Sequence, residues 1–138
     1  MRTSDLNVLI EAMDPFLPLE GFHPAEWLKR EENIALTDSD GSCALFEYVK
    51  PGIYYGHYFF RKRGREAVKL SHEFLNEIFE TARIVVGLTP VEKKAARWMS
   101  RHVGFKSQGI VDTDMGEHEM FMLTKEEYNG LHLRRQEV

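Results

Sequence analysis

The sequence predicts an α/β fold of the α+β kind: a mixed, mostly antiparallel sheet with one parallel central pair, flanked by helices. Three observations predict it. Residues 33–60 hold three strand-like runs separated by two turn signals, Asp38-Ser39-Asp40-Gly41 and Lys50-Pro51-Gly52. From Gly64 to Ala82, apolar Ala67, Leu70, Phe74, Leu75 and Ile78 recur at helical spacing, with Lys69, Glu73, Glu77 and Glu80 on the other side. That helix stands between the strand Ile53–Phe60 and a β-branched run, Arg83–Leu88. A strand–helix–strand unit crosses over right-handed and makes its two strands parallel neighbours.

The elements follow in order. Residues 1–32 read as helical: Thr3-Ser4-Asp5 offers caps ahead of Leu6, Leu9, Ile10 and Met13, and Asp14-Pro15 is a stop. Pro18–Gly21 is a loop, and His23-Pro24-Ala25-Glu26-Trp27-Leu28 opens a second short helix. The period then changes to two, and Asn33–Thr37, Ser42–Val49 and Ile53–Phe60 form an antiparallel meander. After the long helix, Arg83–Leu88 reads as a strand buried on both faces. Thr89-Pro90 suits the cap and first turn of a helix running to about His102, with Gly104 ending it. Phe105–Asp112 and Glu117–Leu123 alternate as strands around Thr113-Asp114-Met115-Gly116, and residues 125–138 read as a polar tail with one helical turn at most.

Composition bounds the function. A chain of 138 residues with 43% hydrophobic and 12% aromatic side chains can bury a core of its own, so 1–138 reads as one globular domain. The single cysteine, Cys43, excludes an internal disulfide and sits in a strand-like run, as a buried inert thiol would. Neither a signal pattern nor an apolar run of membrane-spanning length is present, and a cytoplasmic location is expected. Net charge is −4, unevenly spread: residues 61–106 hold eleven Lys/Arg against five Asp/Glu, and the rest of the chain holds seven against seventeen. A basic centre in an acidic chain suits a compact polyanion better than a long nucleic acid; a solvated helix face is the plainer alternative.

The chemistry gathers at Arg61-Lys62-Arg63-Gly64-Arg65-Glu66-Ala67. A strand that breaks at a basic glycine turn and restarts as a helix leaves backbone N–H groups free beside cationic side chains, which suits phosphate. Arg61, Arg63 and Arg65 are candidates to meet phosphates beside the Gly64 amide, and Lys93, Lys94 and Arg97 to reach a further phosphate. His57, on the strand leading into the turn, is the candidate general base, with Glu47 on the neighbouring strand in reserve. A histidine satisfied within the fold is the alternative for His57. His102, His118 and Glu117-x-Glu119 lack the spacing of a metal set, while Trp27 and Trp98 suit packing. The aromatic run 54–60 could stack on nucleic acid, but alternating rings more often line the two sides of a sheet.

This element order, with Arg61-x-x-Gly64-x-Glu66 after the third strand and Gly104-Phe105 closing the last helix, resembles the GCN5-related N-acetyltransferase (GNAT) superfamily over residues 33–123. The resemblance implies that the turn, with Phe60, Arg61, Lys62, Arg63, Gly64, Arg65 and Glu66, binds acetyl-coenzyme A, assisted by Lys93 and Arg97. The family's turn is Arg/Gln-x-x-Gly-x-Gly/Ala, so Glu66 departs from it. A second element, Asn-x-x-Ala-x-x-Leu-Tyr-x-x-x-Gly-Phe, places Ala96 and Met99 correctly, with Lys93 at the asparagine and Ser100 at the tyrosine that often protonates the departing thiolate. Ser100 would then stand at the acid's position as a much poorer acid.

Gly56-His57-Tyr58-Phe59-Phe60, Arg63-Gly64-Arg65-Glu66-Ala67, Gly87-Leu88-Thr89-Pro90-Val91-Glu92 and Ala95-Ala96-Arg97 also resemble the acetyltransferase-like proteins of tailed bacteriophages, some of which serve in head assembly or inside the virion. Two readings follow. One is an acetyl-coenzyme A-dependent N-acetyltransferase with a small-molecule or protein amine as acceptor. The other is a non-catalytic assembly protein with phage structural partners. A homodimer is compatible with the short first strand.

Overall fold

The computed structural model of the protein describes residues 1–16 and 22–137, the side chains of 132–137 excepted; the loop expected over Pro18–Gly21 lies outside the described residues. The elements are β1 (Arg2–Thr3), α1 (Leu6–Met13) with a 3-10 turn (Asp14–Phe16), α2 (Pro24–Lys29), β2 (Ile34–Thr37), β3 (Cys43–Lys50), β4 (Ile53–Phe59), α3 (Gly64–Ile78), β5 (Ile84–Pro90), α4 (Lys94–Val103), β6 (Lys106–Thr113), β7 (Gly116–Thr124) and α5 (Lys125–Glu137). The seven strands form one sheet in the order β1-β2-β3-β4-β5-β7-β6. Among the described strands only β4 and β5 pair in parallel; the other neighbours are antiparallel. The predicted fold class is therefore the observed one.

Alternation assigns each face. Ile34, Leu36, Ala44, Phe46, Tyr54, Val85, Phe121 and Leu123 point to one side, where Leu70, Phe74, Leu75 and Ile78 of α3, Val103 of α4 and Tyr128 of α5 close over them. On the other side Ala35, Cys43 and Leu45 of β2 and β3 meet Leu9, Ala12 and Met13 of α1 and Trp27 of α2, and Phe59 of β4 packs against the same cluster and against Phe16. Fully buried side chains such as Phe46 and Leu75 each contribute about 1.5–3 kcal/mol of transfer free energy. Cys43 is among them, and burial pushes its thiol up to about 12. Asn33 is buried where α2 meets the sheet: its Nδ2 donates to the Trp27 carbonyl at 3.0 Å, and its Oδ1 accepts the Tyr48 amide at 2.9 Å.

Five expectations need correction. The stretch 1–32 is not helical from its start, because Arg2 and Thr3 pair with Leu36 and Ala35 as an edge strand. The long helix stops at Ile78: Phe79–Ala82 turn out of it while Phe79 and Ala82 stay in the core. Thr89 and Pro90 do not open α4 but extend β5, opposite Glu119 and His118, and the helix begins at Lys94. β5 is not buried on both faces, since Leu88 is 38% exposed on the face opposite Val85. Lastly, residues 125–137 form a helix rather than a tail. Thr124 and Glu127 make a reciprocal cap, with the Glu127 amide on Thr124 Oγ1 at 3.1 Å and the Thr124 amide on Glu127 Oε1 at 3.2 Å. The Tyr128 hydroxyl then donates to the His72 carbonyl of α3.

Candidate active site

Parallel pairing between β4 and β5 lasts three residues, Ile53–Tyr55 against Ile84–Val86. Beyond it each strand stays with its outer neighbour, β4 with β3 as far as Phe59 opposite Cys43, and β5 with β7 as far as Pro90 opposite His118. The two strands consequently part. The next residue on each is a glycine, Gly56 and Gly87, and a Cβ placed on Gly87 would meet nothing within 4 Å.

The split is a cleft of about 300 Å³ lined by residues from both faces of the sheet. Phe60, Leu75, Met99, Val103, Phe105 and Phe121 wall it on the side of α3 and α4, while His57 and Leu88 line it from the opposite face. Its polar side chains are few: His57, Tyr58, Ser71, Thr89, Lys93 and Ser100. Ser71 is already occupied, donating to the Ala67 carbonyl at 2.9 Å. The Tyr58 hydroxyl is buried with no hydrogen-bond partner, alone in this among the described residues. Burial raises its phenol above the ordinary value of 10.0, so it stays protonated.

His57 is solvent-accessible on its sheet face, yet the walls of the split surround it. Loss of hydration in that concave setting lowers its pKa below the ordinary 6.5, and the nearby Glu47 charge opposes the shift without cancelling it. Glu47 stands opposite Tyr55 on β3, one diagonal step from His57, which stands opposite Leu45. The ring is therefore neutral near pH 7, as a proton acceptor must be.

The basic turn divides in two directions. Arg61 points away from the cleft: its Nη2 donates to the Glu11 carbonyl of α1 at 2.9 Å, and a Cβ at Gly41 would come within 3.1 Å of its Cζ. Lys62 pairs with Asp38 at 3.3 Å and Asp40 at 3.7 Å in the β2–β3 turn. Arg63, Gly64, Arg65 and Glu66 are exposed at the start of α3, with Gly64 at φ +61° and no atom within 4 Å of where its Cβ would be. Phe60 and Lys93 line the cleft. Arg97 is held by protein: its Nε donates to Glu119 Oε1 at 2.7 Å and its Nη1 to the Val91 carbonyl at 2.9 Å.

Sequence reasoning weighs Glu119 only as a metal ligand and Tyr58 only as one ring of the aromatic run, and assigns neither to the site. Glu119 is 2% exposed, and Arg101 Nη2 donates to its second oxygen. Burial works to raise this carboxyl, but hydrogen bonds from Ser107 and Arg97 and the two arginine charges outweigh it and leave its pKa below the ordinary 4.5. A carboxylate on the core-facing register of a strand, with two arginines four apart on a helix, was the available signal. For Tyr58 it was a phenol on the core-facing register two residues after a glycine.

Among the described residues, no group of three or more His, Cys, Asp and Glu could hold a metal ion. No helix among them is long and apolar enough to cross a membrane.

The fold is that of the GNAT acetyltransferases. A chimera of spermidine N-acetyltransferase SpeG from Vibrio cholerae and hSSAT superposes with a TM-score of 0.72 at 11% identity, covering 91% of this chain and 96% of that one. Mycobacterium smegmatis RimJ in complex with CoA-disulfide gives 0.63 at 15% identity over 88% and 76% of the two chains. Aminoglycoside acetyltransferase AAC(6')-Ib in complex with coenzyme A gives 0.61 at 15% identity over 76% and 73%. At such identities the likeness is one of fold. No protein-family profile and no curated protein sequence matches the chain.

Proposed function

We propose that the protein is an acetyl-coenzyme A-dependent N-acetyltransferase whose acceptor is an amine, held in a single domain. One observation carries this reading: β4 and β5 part at Gly56 and Gly87, opening a cleft through the sheet with a cationic helix start on one side and a neutral histidine on the other. Solved structures of the same fold that hold coenzyme A support it.

The cleft fits the coenzyme's arm. Its walls are mostly apolar, its polar groups are few, and Tyr58, whose buried hydroxyl has no partner among the described residues, lines it. When bound, acetyl-coenzyme A supplies an activated acyl group. The exposed amides at Gly64 and Arg65, with the Arg63 and Arg65 side chains, would hold its phosphates, and Lys93 would add charge at the cleft mouth. Phe60, Leu75 and Met99 would exclude water from the arm. His57, reached from the opposite face, would take a proton from the acceptor's ammonium, with Glu47 favouring the charged imidazolium. Ser100 lines the same cleft from α4 but is a weak proton donor. Arg61, Lys62 and Arg97 are assigned to structure instead, since protein groups already occupy them.

That last point favours a second reading. Three cations of the basic centre serve the fold, while Glu66 and Ser100 occupy two family positions with unsuitable chemistry. A non-catalytic protein of a tailed bacteriophage, acting in head assembly or in the virion, would keep the fold under those conditions.

Thermal melting with and without coenzyme A separates the two. Ligand at about a hundred times its dissociation constant adds roughly 2.7 kcal/mol of stability. Gly64→Glu should abolish the shift, while His57→Ala should keep it and slow turnover. No shift at millimolar coenzyme A would transfer the assignment to the assembly protein.

A further inference from the structure

Among the described residues, the Tyr58 hydroxyl is the one buried side-chain polar group without a hydrogen-bond partner, and Tyr58 lines the cleft. Its neighbours on the helix-facing side of the sheet are rings: Phe46 at 5.9 Å and Phe60 at 5.9 Å, both edge-on. These rings fix the phenol, and Gly56 fixes where its oxygen ends up. A Cβ on Gly56 would lie 2.6 Å from the Tyr58 oxygen, so the hydroxyl rests over the backbone of the first residue of β4 released from β5. The hydroxyl therefore stands at the apex of the split, where its walls are closest.

Leaving a buried hydroxyl without a partner is unfavourable, and proteins rarely do so without a use for it. Ser71, Arg97 and Glu119 nearby all have partners within the chain. The occupant of so narrow and apolar an apex must be slender, and it must carry an acceptor. An acyl thioester has that shape, with one carbonyl oxygen as acceptor. Resting on the acetyltransferase reading, we infer that the Tyr58 hydroxyl donates a hydrogen bond to the acyl carbonyl oxygen of the bound acyl-coenzyme A. Charge building on that oxygen during amine attack would strengthen the same bond. Two β4 residues on opposite faces then divide the work, Tyr58 holding the acyl oxygen and His57 receiving the acceptor's proton.

The test compares acetyl-coenzyme A with free coenzyme A, which lacks that oxygen, by calorimetry on the wild type and Tyr58→Phe. The expected result is a loss of about three- to tenfold in affinity for acetyl-coenzyme A, the worth of one net hydrogen bond, with free coenzyme A unchanged. Unchanged binding of free coenzyme A also reports that the variant is folded. Its melting temperature without ligand should equal or exceed the wild type's, because an unsatisfied buried group has been removed. Equal losses for both ligands, or no loss for either, would overturn the inference while leaving the acetyltransferase reading in place. A wild type that binds neither ligand overturns both.

Discussion

Arg97 Nε donates to Glu119 Oε1 at 2.7 Å, and this bond ties α4 to β7 across 22 residues of sequence. Arg101, one turn further on, takes the other carboxylate oxygen and lays its guanidinium 5.3 Å from the centre of the Phe121 ring. One wall of the cleft is thus placed by a buried carboxylate gripped from a single helix face.

Glu119→Ala should destabilise the protein by about 3 kcal/mol, because removing one member of a buried ion pair strands its partners. Urea titration of the variant measures the loss. The pH dependence has a definite sign. The folded carboxyl lies below its unfolded 4.5, so its contribution is fully present above pH 4.5 and is lost as pH falls through the folded value. The Glu119→Ala curve should accordingly converge on the wild type's in acid.

Gly87→Leu should fold almost as well as the wild type, within about 1 kcal/mol, since its Cβ enters open space. The side chain would then fill the split and remove the melting shift given by coenzyme A. A variant with normal stability and an undiminished shift would place the ligand elsewhere.

His57 should set an acid limb of kcat/KM lying below pH 6.5, because its folded pKa is depressed and the ring remains a base there. His57→Gln should lower kcat by about 100-fold and erase that limb. The same depression affects stability: the unfolded chain takes up the proton more readily. Stability is thus whole above 6.5 and declines as pH falls from there toward the folded value. A stability profile flat between pH 7 and 5 in the wild type, indistinguishable from His57→Gln, would remove His57 from this role.

Thr124→Ala should cost about 1 kcal/mol by removing the cap of α5. Glu127→Ala should cost more than the cap alone, since Glu127 also pairs with Lys106 at 2.5 Å. Hydrogen exchange along residues 125–131 would locate the effect in this helix.

Much of this was legible in the chain. The strand–helix–strand unit from Ile53 to Leu88 specified the parallel pair, because chirality leaves one way to make that crossover. Alternation along 54–60 separates Tyr58 and Phe60 from His57 and Phe59, as backbone pleating requires. The helix after Thr124 was legible too, through Thr124-Lys125-Glu126-Glu127, but a polar composition masked it. Thr89-Pro90 misled for the opposite reason: a good helix-start signal was overridden by strand pairing with Glu119 and His118.

What the sequence determined by itself was local: periodicity, turns, the basic corner and the hand of its crossover, all set by neighbours a few residues apart. Only the tertiary structure decided which cations were free. Arg61, Lys62 and Arg97 look equivalent to Arg63 and Arg65 in the sequence, yet Glu11, Asp38 and Glu119 claim the first three from remote segments. The vacant hydroxyl of Tyr58 belongs to the same category, because a missing partner is a property of the whole packed molecule.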